Sequence, residues 1–143
     1  LMLVGSANDD VDFVSLIEEG GAIVVADTVC FGSRTYANLV DEKADPVPAL
    51  ASHYLKNSIC PRMLGCYKDR RSYIRDLANR TAVDGVILQN VRFCDLHGSE
   101  NGVLERDLEA AGIPCMRLER EYGPLVETGR IRMRLDAFME RIS

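Results

Sequence analysis

At 143 residues the chain suits one domain better than two. Its 47% hydrophobic and 27% charged residues exclude a disordered or low-complexity protein. A net charge of -5 argues against nucleic acid or an anionic membrane as the main partner, and no apolar run approaches the roughly 20 residues of a membrane span.

The chain opens on Leu1 inside a strand-like run, residues 1–5, as expected of a segment excised from a longer protein. Polar residues 6–10 offer caps, and residues 11–19 form a predicted helix with Phe13, Val14, Leu16 and Ile17 inward. Gly20-Gly21 stops it, and the β-branched run 22–26 is the second predicted strand. Residues 27–33 follow as a loop. Asp45-Pro46-Val47-Pro48 breaks the chain before a short helix at 49–56. A further helix is predicted over 69–81, with Tyr73, Ile74 and Leu77 on one face. Residues 83–88 make the third strand, and 89–98 a loop after it. Ser99 caps a predicted helix over 99–111, with Val103, Leu104 and Leu108 as its stripe. Residues 115–118 give the fourth strand, and Glu127 or Thr128 opens a last helix with Ile131, Leu135, Phe138 and Ile142 inward.

Alternating apolar strands and amphipathic helices predict a parallel sheet covered on both faces. With right-handed crossovers the simplest strand order is 2-1-3-4, a flavodoxin-like (Rossmann-like) three-layer sandwich filling residues 1–143 as a single α/β domain. Function then gathers at the carboxyl ends of the strands. The loops there hold Cys30, Arg34, Cys94, Asp95, His97, Glu100, Glu119, Glu121 and Tyr122.

The chain has 5 cysteines and no CxxC pair. The odd count predicts reduced thiols in a cytoplasmic protein, and the missing CxxC excludes a zinc ribbon or thioredoxin motif. Cys115 enters the fourth strand from the opposite edge and reads as a buried structural thiol. Cys60 and Cys66 read as loop or satellite-core thiols. Cys94 follows a strand and precedes a helix, where backbone N–H groups and the helix dipole favour thiolate. That suits a nucleophile or a soft-metal ligand, and equally a plain loop thiol. His97 reads as a base, a substrate donor or a surface residue. No GxGxxG, GxSxG or GxxxxGK[ST] appears, so dinucleotide, hydrolase and P-loop readings lack support.

The segments Phe93-Cys94-Asp95-Leu96-His97-Gly98-Ser99-Glu100, Ala111-Gly112-Ile113-Pro114, Leu118-Glu119-Arg120-Glu121-Tyr122 and Gly129-Arg130-Ile131-Arg132-Met133-Arg134-Leu135-Asp136-Ala137-Phe138 follow in one order. With Ile17-Glu18-Glu19-Gly20-Gly21 and Val25-Ala26-Asp27-Thr28-Val29-Cys30-Phe31-Gly32-Ser33-Arg34 upstream, the chain resembles the C-terminal domain of the 2-hydroxyacyl-CoA dehydratase D-component and benzoyl-CoA reductase family. The resemblance implies an iron–sulfur protein. Each family subunit holds a [4Fe-4S] cluster between domains on three cysteines, two from an earlier domain and one from the loop that Cys94 matches. Subunits pair with a homologous second subunit, and an ATP-dependent activator protein injects one electron. That electron reduces the acyl-CoA thioester to a ketyl radical anion, from which an unreactive hydroxyl group leaves; benzoyl-CoA reductases use related electron transfer on a ring.

On this resemblance Cys94 is the expected metal ligand and Cys30 a second candidate for the cofactor. His97 and Glu100 are expected at the substrate edge. The earlier domain's cysteines are not in this chain, so the cluster is expected to be incomplete here and the isolated domain inactive. Gly129-Arg130 stands where many relatives have Gly-Gln. Two other readings compete: an accessory relative that keeps the fold without dehydration, and a flavodoxin-like nucleotide-binding module, which the acidic residues 5–10 disfavour.

Overall fold

The computed structural model describes residues 1–57, 59–126 and 128–143. In chain order the elements are β1 (Met2–Gly5), α1 (Val11–Glu19), β2 (Ala26–Val29), a 3₁₀ turn (Ser33–Thr35), α2 (Pro46–Lys56), α3 (Tyr67–Arg80), β3 (Val86–Val91), α4 (Asp95–Glu109), β4 (Cys115–Arg120) and α5 (Thr128–Ile142). The sheet order is β2-β1-β3-β4 and every pairing is parallel, as the sequence predicts.

Alternation along the strands sorts two cores. Leu3 and Ile87 face one side with Phe13 and Ile17 of α1 and Ile131, Leu135 and Phe138 of α5. Met2, Val4, Val86 and Leu88 face the other, with Ile74 and Ala78 of α3 and Leu104 and Leu108 of α4. The period of two in each strand is what makes the sandwich three-layered. Among the described residues no helix is long and apolar enough to cross a membrane.

Several boundaries differ from the sequence reading. The second strand is Ala26–Val29, not 22–26. Its register is set by β1, whose Met2–Gly5 pairs residue for residue with it, and in the run before it Ile23 and Val25 are exposed. The third strand runs on to Val91 and the fourth to Arg120, because Gln89 and Arg120 are buried with partners instead of turning into loop. Helix α4 begins at Asp95, so Asp95, His97 and Glu100 lie on a helix and not in a loop. Ser99 does not cap it; its hydroxyl donates to the Leu96 carbonyl at 3.3 Å. The buried stripe of α4 is His97, Asn101, Leu104 and Leu108, while Val103 faces solvent. That spacing is a regular helical stripe hidden by two polar residues. Helix α2 starts earlier than expected, with Pro46 in its first turn, where a missing N–H costs nothing. The last helix starts at Thr128; Glu127 lies outside the described residues.

Gly5 ends β1 at φ 132, and a Cβ there would meet the Gln89 carbonyl oxygen at 1.8 Å. Only glycine lets β1 and β3 approach so closely at the edge where the loops begin.

Candidate functional site

The carboxyl edge of β2 is built around Asp27. Its Oδ1 accepts from the backbone N–H of Ser33 at 3.0 Å and of Val29 at 3.3 Å, and the Ser33 hydroxyl donates to the Asp27 carbonyl at 2.6 Å. This side-chain turn spans residues 27–33 and fixes the end of β2 and the loop that leaves it. A Cβ on Gly32 would lie 1.9 Å from Asp27 Oδ1, so the loop requires glycine there. The loop turns the Cys30 side chain inward and holds Phe31 at φ 60, with 88% of it exposed.

Cys30 is the meeting point of three elements. Arg34 donates from Nη2 to Cys30 Sγ at 3.2 Å and from Nη1 to the Ile59 carbonyl at 3.3 Å, joining the loop before α3 to β2. His97 of α4 brings Nε2 to 3.6 Å from Cys30 Sγ. Burial pushes the Cys30 thiol up, Arg34 partly opposes this, and the Cys60 and Cys94 sulfurs add to the rise. Three of the five thiols therefore share one electrostatic neighbourhood. Burial, with Arg34 and Arg70 nearby, holds His97 down at about 4, so its imidazole is neutral at pH 7.

Cys94 is half-buried and is the residue from which α4 starts. Its N–H donates to the Val91 carbonyl at 2.9 Å, and no side chain caps the helix. The first-turn N–H groups and the positive end of the dipole thus sit next to a thiol. Phe93 just before it stands at φ 68 with 90% of its surface exposed. Both left-handed aromatics flank a site thiol.

Glu100 points across to α3, not outward. Its carboxylate accepts from Arg70 Nε at 2.6 Å and from Arg70 Nη2, and the two side chains are 16% and 5% exposed. Next to this pair Thr28 Oγ1 is buried with no hydrogen-bond partner among the described residues.

A second polar group closes the edge between β1, β3 and β4. Buried Gln89 donates to the Ser6 carbonyl and accepts from Arg120 Nε at 3.1 Å, while Arg120 Nη2 donates to the Ala7 carbonyl at 2.8 Å. Arg120 also lies 5.5 Å from the Phe13 ring centre. Burial lowers its pKa, opposed by Asp10 and Asp9.

Cys115 is buried in β4 as the sequence predicts, and burial pushes its thiol up to about 12. Cys66 caps no side-chain bond at the start of α3. Sequence reasoning set Cys60 aside and passed over Arg70 and Gln89. Only tertiary structure brings Cys60 to Cys30, through the Arg34 bond to Ile59. Among the described residues no three His, Cys, Asp or Glu side chains converge closely enough to hold a metal ion alone.

The family model described as 2-hydroxyglutaryl-CoA dehydratase, D-component, matches residues 1–142. A relative, the (R)-phenyllactyl-CoA dehydratase beta subunit of Clostridium sporogenes, is 28% identical over 142 residues. The match takes in 99% of this chain and 37% of that protein, so the chain spans little more than a third of the relative's length.

Proposed function

The chain belongs to the 2-hydroxyglutaryl-CoA dehydratase D-component family, and from that premise we propose that it is the part of a 2-hydroxyacyl-CoA dehydratase subunit that supplies Cys94 as one ligand of a [4Fe-4S] cluster. The remaining ligands come from elsewhere in the full-length subunit. The observation that carries the reading is the position of Cys94: a half-buried thiol at the uncapped start of α4, on the same edge as Cys30 and His97. The donor chemistry fits, because cluster iron takes cysteine sulfur and Cys94 places a thiol at the start of α4.

A bound cluster supplies one-electron chemistry and iron as a Lewis acid. This chain's residues have other tasks. The 27–33 loop fixes Cys30 at the site, and Arg34 ties that loop to residues 59–60. Neutral His97 fills the space behind Cys30 without adding charge. The Arg70–Glu100 pair anchors α4 to α3 and so fixes the first turn that carries Cys94. We place the working protein in the cytoplasm, with a homologous subunit and an ATP-dependent activator as partners and an acyl-CoA as substrate. The five free thiols agree with a reducing compartment.

The test is Cys94→Ser in the full-length subunit, purified and reconstituted with iron and sulfide without air. The fold should persist, with a stability change within about 1 kcal/mol, as for a loop change outside the core. Iron content should collapse and the cluster's EPR signal should disappear, since a serine oxygen is a poorer donor to cluster iron than thiolate. Wild-type iron content and an unchanged spectrum would remove Cys94 as ligand and make Cys30 the better candidate.

A further inference from the structure

Between the 3₁₀ turn and α2 lies a cavity of about 480 Å³, lined among others by Phe31, Arg34, Tyr54, Asn57, Cys60 and Arg62. We infer that this cavity binds the phosphate-bearing nucleotide end of coenzyme A, with Arg34 and Arg62 as its cations and Phe31 and Tyr54 as its stacking faces. The inference rests on the proposed acyl-CoA chemistry and assigns a separate part of the substrate to a separate part of the edge.

Charge is the first argument. Among the described residues the cavity lining contains two arginines and no carboxylate. Many arginines elsewhere are matched by acids: Arg70, Arg71, Arg92, Arg117, Arg120 and Arg141 each pair with Asp or Glu. Arg34 instead donates to two neutral acceptors, the Cys30 sulfur and the Ile59 carbonyl. Arg62 has no ion pair among the described residues. In a chain of net charge -5, this cavity brings together two guanidinium groups that have no ion pair among the described residues. Guanidinium is the side chain whose donor geometry suits phosphate.

The walls supply the second argument. Phe31 and Tyr54 are largely exposed, and both face the cavity. The left-handed backbone at Phe31 keeps that ring out of any core. A flat heteroaromatic base stacks on such rings, whereas an inorganic anion or a small carboxylate gains nothing from them. Asn57 is pre-oriented: its Nδ2 donates to the His53 carbonyl at 2.9 Å and its Oδ1 accepts from Asn38 at 3.1 Å.

The third argument is placement. Cys30 and Phe31 also line a second cavity of about 490 Å³, on the side of Asp9, Asp10 and Asp12. Phe31 therefore stands between a basic hollow and an acidic one. A phosphate is directed to the basic side, and the thiol end of the same ligand then extends along the edge that carries Cys30.

The experiment uses the full-length subunit in its assembled dehydratase and 3′,5′-adenosine bisphosphate as the probe, measured by calorimetry. Wild type should bind it. Arg62→Ala should bind it about 10- to 100-fold more weakly, the loss of a charge-assisted hydrogen bond, and Arg62→Lys should recover part of the affinity. Tyr54→Leu should weaken binding to a lesser degree. Turnover of an acyl-pantetheine thioester, which lacks the nucleotide, should be the same in wild type and Arg62→Ala. No bisphosphate binding by wild type, or equal affinity in wild type and Arg62→Ala, overturns the site whatever the turnover. Arg62 dependence for a free 2-hydroxy carboxylate in place of the bisphosphate overturns the nucleotide assignment. Arg62-dependent bisphosphate binding without acyl-CoA dehydration supports the site and refutes the dehydratase reading instead.

Discussion

Glu100→Ala isolates the strongest electrostatic statement in this structure. Arg70 is 5% exposed, and its guanidinium meets the Glu100 carboxylate through two of its nitrogens. Among the described residues its only other bond is from Nη1 to the Cys66 carbonyl at 3.5 Å, at the limit of a hydrogen bond. Removing the carboxylate leaves a buried cation without a counter-charge, which costs about 3–5 kcal/mol. For a chain of this length each kcal/mol moves the melting temperature by about 2–4 °C, so a fall of roughly 10 °C is expected. In urea, with a slope of about 1–3 kcal/mol/M, the midpoint should drop by more than about 1 M. The measurement is far-UV circular dichroism under reducing conditions. Arg70→Met combined with Glu100→Leu should be far less damaging than Glu100→Ala, because no unpaired charge remains. The reasoning fails if Glu100→Ala shifts stability by less than about 1 kcal/mol while abolishing turnover in the full-length subunit. Glu100 would then serve the substrate and not the α3–α4 contact.

Two further outcomes follow from the buried titratable groups. The His97 pKa is lowered to about 4 in the folded chain, from an unfolded value near 6.5, so the unfolded chain binds more protons between these values. Stability is fully present above about pH 6.5 and falls as the pH drops toward 4; His97→Asn should flatten that part of a stability–pH curve, and an identical slope in both proteins would exclude His97 as its source. Alkylation followed by mass spectrometry should label Cys115 last, because it is buried with its thiol pushed up to about 12. Labelling of Cys115 ahead of Cys94 would contradict the burial order.

Much of this architecture is legible because apolar alternation and glycine stops are local. Phe13 and Ile17 recur one turn apart, and Asp10 caps the helix that carries them by accepting from the Phe13 N–H at 3.2 Å. The register of β2 is not local. The apolar run 22–26 looks more strand-like than Asp27-Thr28, yet β1 pairs with Ala26–Val29. Buried polar residues were illegible for the same reason. Arg120 is satisfied by Ala7 and Gln89, far away in sequence, and nothing near Arg120 signals that partners await it. At the site, Cys94 and Cys30 could be read from their places after strands. The Arg70 partner of Glu100 and the proximity of Cys60 to Cys30 exist only once α3 and the preceding loop have docked.

Phe31 and Phe93 carry a consequence for how this sequence responds to selection. A left-handed conformation costs an L-residue about 1–2 kcal/mol, and glycine or asparagine adopts it more readily. Both phenylalanines accept that strain while leaving about nine-tenths of their surface in water, at 88% and 90% exposure. A library of variants of this chain sorted for thermal resistance alone should therefore enrich Gly and Asn at 31 and 93. A library sorted for the proposed dehydratase activity of the full-length subunit should keep the aromatic rings. Divergence between the two libraries at these positions, with agreement at Gly5 and Gly32, would separate residues retained for what they touch in the assembled protein from residues retained for the fold.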